Sequence, residues 1–179
     1  LDLGGIDIHY SDKDGASSLY VASHNGYIDI VKVLIQAGGN VNQANNDGRS
    51  PLWMASQQGH VATVKVLLKA GGNVNQAKTT GASPLYIASE LGNVDIVKVL
   101  IKAGGNVNQA ITDDGGTPLY TASQNGNVDT MKVLIEAGGN VNQHNHQNHT
   151  PLHIACYKGN IEIVRLLLQQ PTIDRNKTN

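Results

Sequence analysis

The chain has 179 residues, a formal net charge of −1 and an apolar content of 40%. This balance gives no general attraction to nucleic acid or to an anionic membrane, and the apolar runs are too short to span a bilayer. Phe is absent and aromatic residues make up only 4% of the chain. A core must therefore be built mainly from Leu, Ile, Val and Ala, which favours packed helices.

Two short phrases recur along the chain at nearly constant spacing. GGNVNQ occurs at residues 38–43, 71–76, 104–109 and 138–143. The second phrase reads SSLYVAS, SPLWMAS, SPLYIAS, TPLYTAS and TPLHIAC, and its copies start at Ser17, Ser50, Ser83, Thr117 and Thr150. The period is 33 residues, except for one interval of 34. Self-similarity at such a period indicates stacked supersecondary units.

The spacing divides the chain into units that we call repeats. Residues 1–16 match the end of a preceding unit, 17–49 are repeat 1, 50–82 repeat 2, 83–116 repeat 3, 117–149 repeat 4, and 150–179 repeat 5 with the start of a further connector. The extra residue lies in the segment ITDDGG of repeat 3, where we expect a longer loop. Because the chain starts at Leu1 and stops inside a unit, we interpret it as part of a longer protein.

Repeat 3 illustrates how one unit is expected to fold. Ser83 is a good helix N-cap, and Pro84 fits the first turn because its missing N–H needs no partner there. Gly92 predicts the end of this first helix in a left-handed conformation. The segment VDIVKVLIK that follows has apolar residues at the spacing of an amphipathic helix.

A polar connector is expected to link each helix pair to the next. One recurrent connector position predicts a positive φ, which Gly adopts freely and Asn tolerates. This position holds Gly15, Gly48, Gly81, Gly115 and Asn148.

Two short helices cannot bury an apolar stripe alone, so each unit must pack against its neighbours. The positions that agree among units should form this shared core, which in repeat 2 are Leu52, Ala55, Val64 and Leu67.

The repeated pattern resembles the ankyrin repeat family, whose signature is T-P-L-H-x-A at a period of about 33 residues. TPLHIA at 150–155 matches the signature fully, and the other copies keep most of it. The resemblance implies an all-α repeat solenoid of about five stacked units, each with a helix pair and a β-hairpin. It also implies a concave groove for protein partners. Residues at the signature His position in the other repeats cannot copy the bonds of His, so they find other partners or turn toward the groove. They are Tyr20, Trp53, Tyr86 and Tyr120.

Residues that differ among the units, and that the resemblance places on connector tips or on the groove side of the first helices, are candidates for partner binding. These are Lys13, Asp14, His24, Asn46, Asp47, Arg49, Trp53, Gln57, Gln58, Thr79, Thr80, Glu90, Leu91, Asp113, Asp114, Gln124, Asn125, His146, His149, Tyr157 and Lys158. Among them, Trp53, Leu91 and Tyr157 are the best candidates for apolar anchors, which carry most binding energy. If Trp53 instead braces a turn, its truncation should lower stability and leave affinity unchanged.

A cluster of histidines has two interpretations. Such tracts sometimes bind zinc or nickel, but no cysteine or spaced carboxylate completes a rigid site here. We favour a polar, partly pH-sensitive tip over a metal site, with the signature histidine occupied by local bonds. The residues are His144, His146, His149 and His153.

Two further features have a structural and a functional interpretation. Cys156 occupies a position that is Ser in the other repeats, and we expect a small packed thiol rather than a nucleophile. One second-helix position repeats a cation that could attract acidic partners or nucleic acid. We favour a solvated face with local pairs such as Asp29–Lys32 and Asp95–Lys98. The cations are Lys32, Lys65, Lys98, Lys132 and Arg165.

One Asn of each GGNVNQ phrase follows Val and has Leu eight residues upstream. This arrangement resembles the pattern hydroxylated by an asparaginyl hydroxylase in ankyrin domains. The structural interpretation is that Asn bonds the backbone of the neighbouring connector, and we take this as the main role. The residues are Asn42, Asn75, Asn108 and Asn142.

The sequence therefore predicts a non-enzymatic protein-binding module with no cofactor and no resident metal. The chain contains no phosphate-binding loop, dinucleotide fingerprint or H-E-x-x-H motif. We expect an intracellular, cytoplasmic protein that is monomeric on its own and has an unidentified protein partner. Two alternatives stay open: a structural spacer, or a regulatory or targeting segment of a larger enzyme.

Overall fold

The computed structural model describes residues 7–174, and in this range the chain forms ten helices in five consecutive pairs. Of the predicted units, residues 1–6 and 175–179 lie outside the described residues. The helices are α1 (Ser18–His24), α2 (Ile28–Gln36), α3 (Pro51–Gln57), α4 (Val61–Lys69), α5 (Pro84–Glu90), α6 (Val94–Lys102), α7 (Pro118–Asn125), α8 (Val128–Glu136), α9 (Pro151–Lys158) and α10 (Ile161–Leu168).

The first helix of each pair begins at the predicted cap. Ser83, for example, is extended, and its hydroxyl accepts a hydrogen bond from the Tyr86 N–H at 3.1 Å. Pro84 follows in the first helical turn. The same cap forms at all five first helices, so the predicted starts are confirmed, with caps at Ser17, Ser50, Ser83, Thr117 and Thr150.

One apolar core runs through all five repeats. Leu52, Ala55, Val64 and Leu67 are fully buried, and their equivalents in the other repeats join the same cluster. Each helix pair packs against its neighbouring pairs, so the apolar core is continuous from repeat 1 to repeat 5. The predicted all-α solenoid of roughly five units is confirmed.

The first helices pack more closely on one another than the second helices do. A stack that is tighter along one side curves toward that side. We call the side formed by the first helices and the connector tips the inner surface, and the side formed by the second helices the outer surface.

The connectors are turns rather than β-hairpins, so the expectation of hairpins was wrong for the described residues. In residues 7–174 the only bridge is an isolated one between Ser11 and Ser17. The Lys78 N–H donates to Ala82 O and closes the turn, and the helix cap Ser83 follows at once with Pro84 behind it. The physical reason is therefore that the next helix begins directly after the turn, which leaves no residues for a second strand.

The predicted positive φ occurs at the recurrent connector position, including φ 61° at Asn148. In repeat 3 the turn closes from the Ile111 N–H to Gly116 O, one residue longer than the turn from Lys78 to Ala82. The inserted residue therefore lengthens a loop, as expected.

Candidate protein-binding surface

The connector tips form a continuous row because each is bonded to the one before it. The Thr79 N–H donates to Asp47 O at 2.9 Å, and the Thr112 N–H donates to Thr80 O at 2.9 Å. Equivalent bonds start from Asn46 and His146. The row fixes the spacing of the tips, so the inner surface is held in shape before any partner arrives.

A pocket of about 530 Å³ lies on the inner surface between repeats 1 and 2. Arg49 is one of its lining residues, 3.6 Å from Asp47 and in hydrogen-bond contact with the Tyr20 phenol. Burial raises the pKa of Tyr20 above its ordinary value, and the Arg49 charge partly offsets that rise. The pocket is lined by Asp12, Asp14, Ala16, Tyr20, Val21, His24, Asn45, Asp47, Arg49, Met54 and Gln57.

A second pocket, of about 260 Å³, lies between repeats 2 and 3, and Trp53 forms part of its wall. Trp53 is only 2% exposed, and its indole N–H donates to Ala82 O at 3.0 Å. Arg49 and Lys78 lie over its ring at 5.2 Å and 5.8 Å from the centroid. The indole thus braces the next connector and offers almost no surface to a partner, contrary to the expected anchor.

Tyr86 and Tyr120 occupy the same position as Trp53; Tyr86 reaches the following repeat, whereas Tyr120, like Trp53, bonds the connector at the end of its own repeat. Tyr86 hydrogen-bonds Thr121, and the Tyr120 phenol accepts from the Asn145 side-chain amide at 3.3 Å. Burial raises the pKa of Tyr86 to about 12, and it raises the pKa of Tyr120 as well. Both phenols therefore stay protonated at neutral pH. Both expected outcomes for these aromatic residues are observed, because they bond to other partners and also line the inner-surface pockets.

A third pocket, of about 520 Å³, lies between repeats 4 and 5 and is lined by Tyr120, Gln147, His149, His153, Ile154 and Tyr157. The Thr150 N–H and hydroxyl both lie within hydrogen-bond distance of His153 Nδ1, at 3.2 Å and 2.8 Å. His153 is therefore occupied by local bonds, as expected. Tyr157 is 82% exposed beside these polar groups.

A family model for ankyrin repeats matches residues 1–78, 19–111, 68–145 and 85–179. These matches together extend over the whole chain. The chain belongs to the ankyrin repeat family. Its match to cortactin-binding protein 2 of Plecturocebus moloch is 50% identical over 38 residues, which is 21% of this chain and 2% of that relative. The aligned segment is about one ankyrin repeat long, so it bears on the repeat and not on the rest of the relative.

Of the residues predicted for partner binding in these ankyrin repeats, eleven line the three pockets. They are Asp14, His24, Asp47, Arg49, Gln57, Trp53, Thr80, Glu90, Asp113, His149 and Tyr157. The structure places the others outside these pockets: Lys13, Asn46, Gln58, Thr79, Leu91, Asp114, Gln124, Asn125, His146 and Lys158. Leu91 is nevertheless an exposed apolar side chain.

Sequence reasoning missed the apolar part of the pocket walls. Met54 and Ile87 lie one residue after Trp53 and Tyr86, and their repeat position looks like part of the core. The available signal was that this position varies in type, from Val21 in repeat 1 to Thr121 in repeat 4. Core positions such as that of Leu52 do not vary in this way.

Cys156 is exposed, so the expectation of a packed thiol was wrong. The equivalent Ser56 is fully buried, and its hydroxyl donates to Leu52 O at 2.7 Å. The next repeat covers Ser56, whereas no helix of the described residues covers this side of repeat 5. The burial of this position thus depends on the neighbour and not on the residue type.

Ion pairs form along only part of the cation row on the outer surface. Lys32 and Lys132 each lie 3.0 Å from an aspartate three residues earlier, Asp29 and Asp129. The expected pair between Asp95 and Lys98 does not form within the described chain. In residues 7–174 no group of three or more His, Cys, Asp or Glu is placed to hold a metal ion.

The recurrent Asn of the GGNVNQ phrase links neighbouring connectors, which confirms its structural interpretation. The Asn75 side-chain amide donates to Gly104 O at 3.2 Å, and its oxygen accepts from the Asn106 N–H at 2.8 Å. The same two bonds are made by Asn42 and Asn108. We call this arrangement the Asn clamp.

Among residues 7–174, no helix combines the length and apolar character required to cross a membrane.

Proposed function

We propose that this chain is a non-enzymatic ankyrin module that binds a protein partner on its inner surface. The observation that supports the proposal is the lining of the three inner-surface pockets, since two further pockets, of about 320 Å³ and 290 Å³, lie at the starts of the second helices. Each of the three inner-surface pockets lies between two neighbouring repeats, and each is lined by connector and first-helix residues that differ from repeat to repeat. Variation at the pockets and uniformity in the core are what a recognition surface on a fixed scaffold requires.

The proposed mechanism is rigid presentation. A surface that is already ordered loses little conformational entropy on binding. The bonded connector tips, the Asn clamp and the buried Trp53 all hold the inner surface in place. Partner side chains would enter the pockets and contact the exposed Tyr157 and Leu91. Trp53 supports this surface from beneath and is too deeply buried to be an anchor for a partner.

A cytoplasmic location and a monomeric state are part of this proposal. The exposed, unpaired Cys156 supports a reducing compartment, where thiols stay free. Hydroxylation at Asn42, Asn75, Asn108 and Asn142 stays a prediction, and the clamp geometry does not require it. Intact mass of the protein produced in a host that carries the hydroxylase tests it, and an unchanged mass would count against it.

Site-specific cross-linking tests the location of the partner. We expect a photo-reactive residue at Glu90 or Tyr157 on the inner surface to capture a partner protein, and one at the exposed Arg165 on the outer surface of repeat 5 to capture none. With the captured partner purified, the double variant Leu91→Ala and Tyr157→Ala should weaken binding by about tenfold or more. Unfolding in urea serves as the control that the double variant stays folded.

Equal capture from both surfaces, or an affinity that the double variant leaves unchanged, contradicts a binding site on the inner surface. If no protein is captured, the result favours the alternative that the chain is a structural spacer. If the captured protein is an enzymatic region of the same polypeptide, the result favours the alternative that this chain is a regulatory segment of a larger enzyme.

A further inference from the structure

The outer surface of repeats 2 and 3 has a local excess of positive charge. Lys65 and Lys69 on α4, and Lys98 and Lys102 on α6, are all exposed. The two pairs stand at equivalent repeat positions on adjacent, contacting helices. Asp95 is the single carboxylate that α4 and α6 contribute. We call these four side chains the lysine patch.

The lysine patch differs from the rest of the same row. On α2 and α8 the cation is neutralised locally, because Lys32 and Lys132 each form an ion pair at 3.0 Å. Within the described residues none of the four patch lysines forms such a pair. The excess charge therefore ends at both neighbouring helices, which gives the patch defined edges.

Helix stability does not account for the patch. Lysine in a last turn interacts favourably with the helix dipole, which offers an explanation for Lys69 and Lys102. However, α2 ends in Gln36 and α8 ends in Glu136, and both are nine-residue helices like α4 and α6. The fold thus forms the same helix with a neutral or an acidic residue at this position.

We propose that the lysine patch is a second binding surface, distinct from the inner surface, and that it binds an extended acidic segment of a protein. Residues four apart on a helix are separated by about 6 Å along its axis. Alternate residues of an extended chain lie about 6.6 Å apart on one side. Acidic residues at alternate positions of such a segment therefore match the spacing of Lys65 and Lys69, or of Lys98 and Lys102.

Other anionic partners fit the patch less well. The helices α4 and α6 carry no aromatic side chain or arginine on which bases could stack. The large exposed apolar residues of the described chain lie outside these two helices, so the patch itself offers no apolar anchor for a bilayer. Lysine point charges without stacking groups or apolar anchors suit carboxylates on a flexible segment.

Fluorescence anisotropy with a labelled peptide of alternating Glu and Ser tests the proposal. We expect saturable binding that weakens as salt is added, because exposed charges are screened. The double variant Lys65→Gln and Lys98→Gln should weaken binding by about tenfold, equivalent to roughly 1.4 kcal/mol. The matched control Lys32→Gln and Lys132→Gln changes the same repeat positions and the same net charge, and should change affinity by less than about twofold. A peptide with Gln in place of Glu should not bind.

Circular dichroism and urea unfolding verify that both variants are folded. Equal losses in the two double variants, or no binding of the Glu-Ser peptide at low salt, would overturn the proposal. So would tighter binding, through the same lysines, of a single-stranded oligonucleotide or of phosphatidylserine vesicles. None of these outcomes bears on the inner surface, which the cross-linking experiment tests separately.

Discussion

Repeat 1 and repeat 3 share nearly the same apolar pattern but bury it to different extents. Ile30 on α2 is 51% exposed, whereas Ile96 at the equivalent position of α6 is 1% exposed. Val21 and Ile87 on the first helices differ in the same direction. The helices α3 and α4 pack against repeat 3, whereas no helix of the described residues lies on the corresponding side of repeat 1. The apolar face of a repeat is therefore buried by its neighbour.

Repeat 1 and repeat 3 also differ in the hydrogen bonds that link them to a preceding unit. Asn93, at the start of α6, donates its side-chain amide to Ser56 O in the preceding repeat. Tyr27, at the equivalent position before α2, is exposed. His9 occupies the clamp position in the connector before repeat 1, and within the described residues it makes neither bond of the Asn clamp. An inner repeat is thus held by both packing and hydrogen bonds from its neighbours.

The largest expected effect is at the aromatic position of the first helices. Trp53→Ala should lower the free energy of unfolding by about 4 kcal/mol, because it removes a buried indole, its bond to Ala82 O and the support under Arg49 and Lys78. Tyr20→Ala in repeat 1 should cost less, about 2 kcal/mol at most, since Tyr20 is only partly buried. Urea unfolding measures both. Similar losses for the two variants would break the comparison between the repeats.

A matched pair at the second helices tests the comparison most directly. Ile96→Ala should cost about 3 kcal/mol through lost burial and the cavity it leaves. Ile30→Ala removes the same atoms from an exposed site and should cost less than about 1 kcal/mol. The two substitutions are chemically identical, so the difference between them measures what the neighbouring repeat contributes. If both cost the same, burial by the neighbour is not what stabilises Ile96.

The repeat architecture could be predicted from sequence because its determinants are local. The Ser/Thr caps, the prolines that follow them and the helical spacing of Leu and Val act within a few residues. The structure has the helices where these signals place them. The burial of Leu52 and Leu67 followed from the agreement among repeats, since a position that recurs at each interface must fit its neighbours.

Other features depend on contacts between repeats and could not be predicted in the same way. Whether Trp53 faces a partner or the interior depends on its packing with Ile87 of repeat 3 and Arg49 of repeat 1, which no single-repeat pattern specifies. Cys156 occupies the same repeat position as Ser56. No helix of the described residues follows repeat 5 to cover it, so its thiol is exposed. The candidate pockets share this property, because each is formed between two repeats.

The pH dependence of the free energy of unfolding should report how deeply the Tyr86 phenol is buried between repeats. Burial raises the pKa of Tyr86 from 10 to about 12. The unfolded chain therefore releases this proton before the folded chain does. The contribution of Tyr86 to stability is full below pH 10 and is lost as the pH rises toward 12, by at most about 2 kcal/mol.

The variant Tyr86→Phe has no phenolic proton and is the control for this measurement. Urea midpoints recorded from pH 9 to above pH 11 should fall less steeply for the variant than for the wild-type protein. Parallel curves for Tyr86→Phe and the wild-type protein would contradict the burial of this phenol.

The smallest expected effect is at the Asn clamp, because its bonds lie at the surface. Asn75→Ala removes the bonds to Gly104 O and from the Asn106 N–H, and we expect a loss of about 1 kcal/mol in the free energy of unfolding. Asn75→Asp keeps the acceptor for the Asn106 N–H and loses only the donor, so its loss should be smaller. His9→Ala, at the position without the two clamp bonds, should leave stability nearly unchanged. Were His9→Ala as costly as Asn75→Ala, the clamp bonds would not be the reason that the inner connectors are more firmly held. The order Asn75→Ala, Asn75→Asp, His9→Ala thus measures how much of the coupling between repeats is carried by hydrogen bonds once packing is left intact.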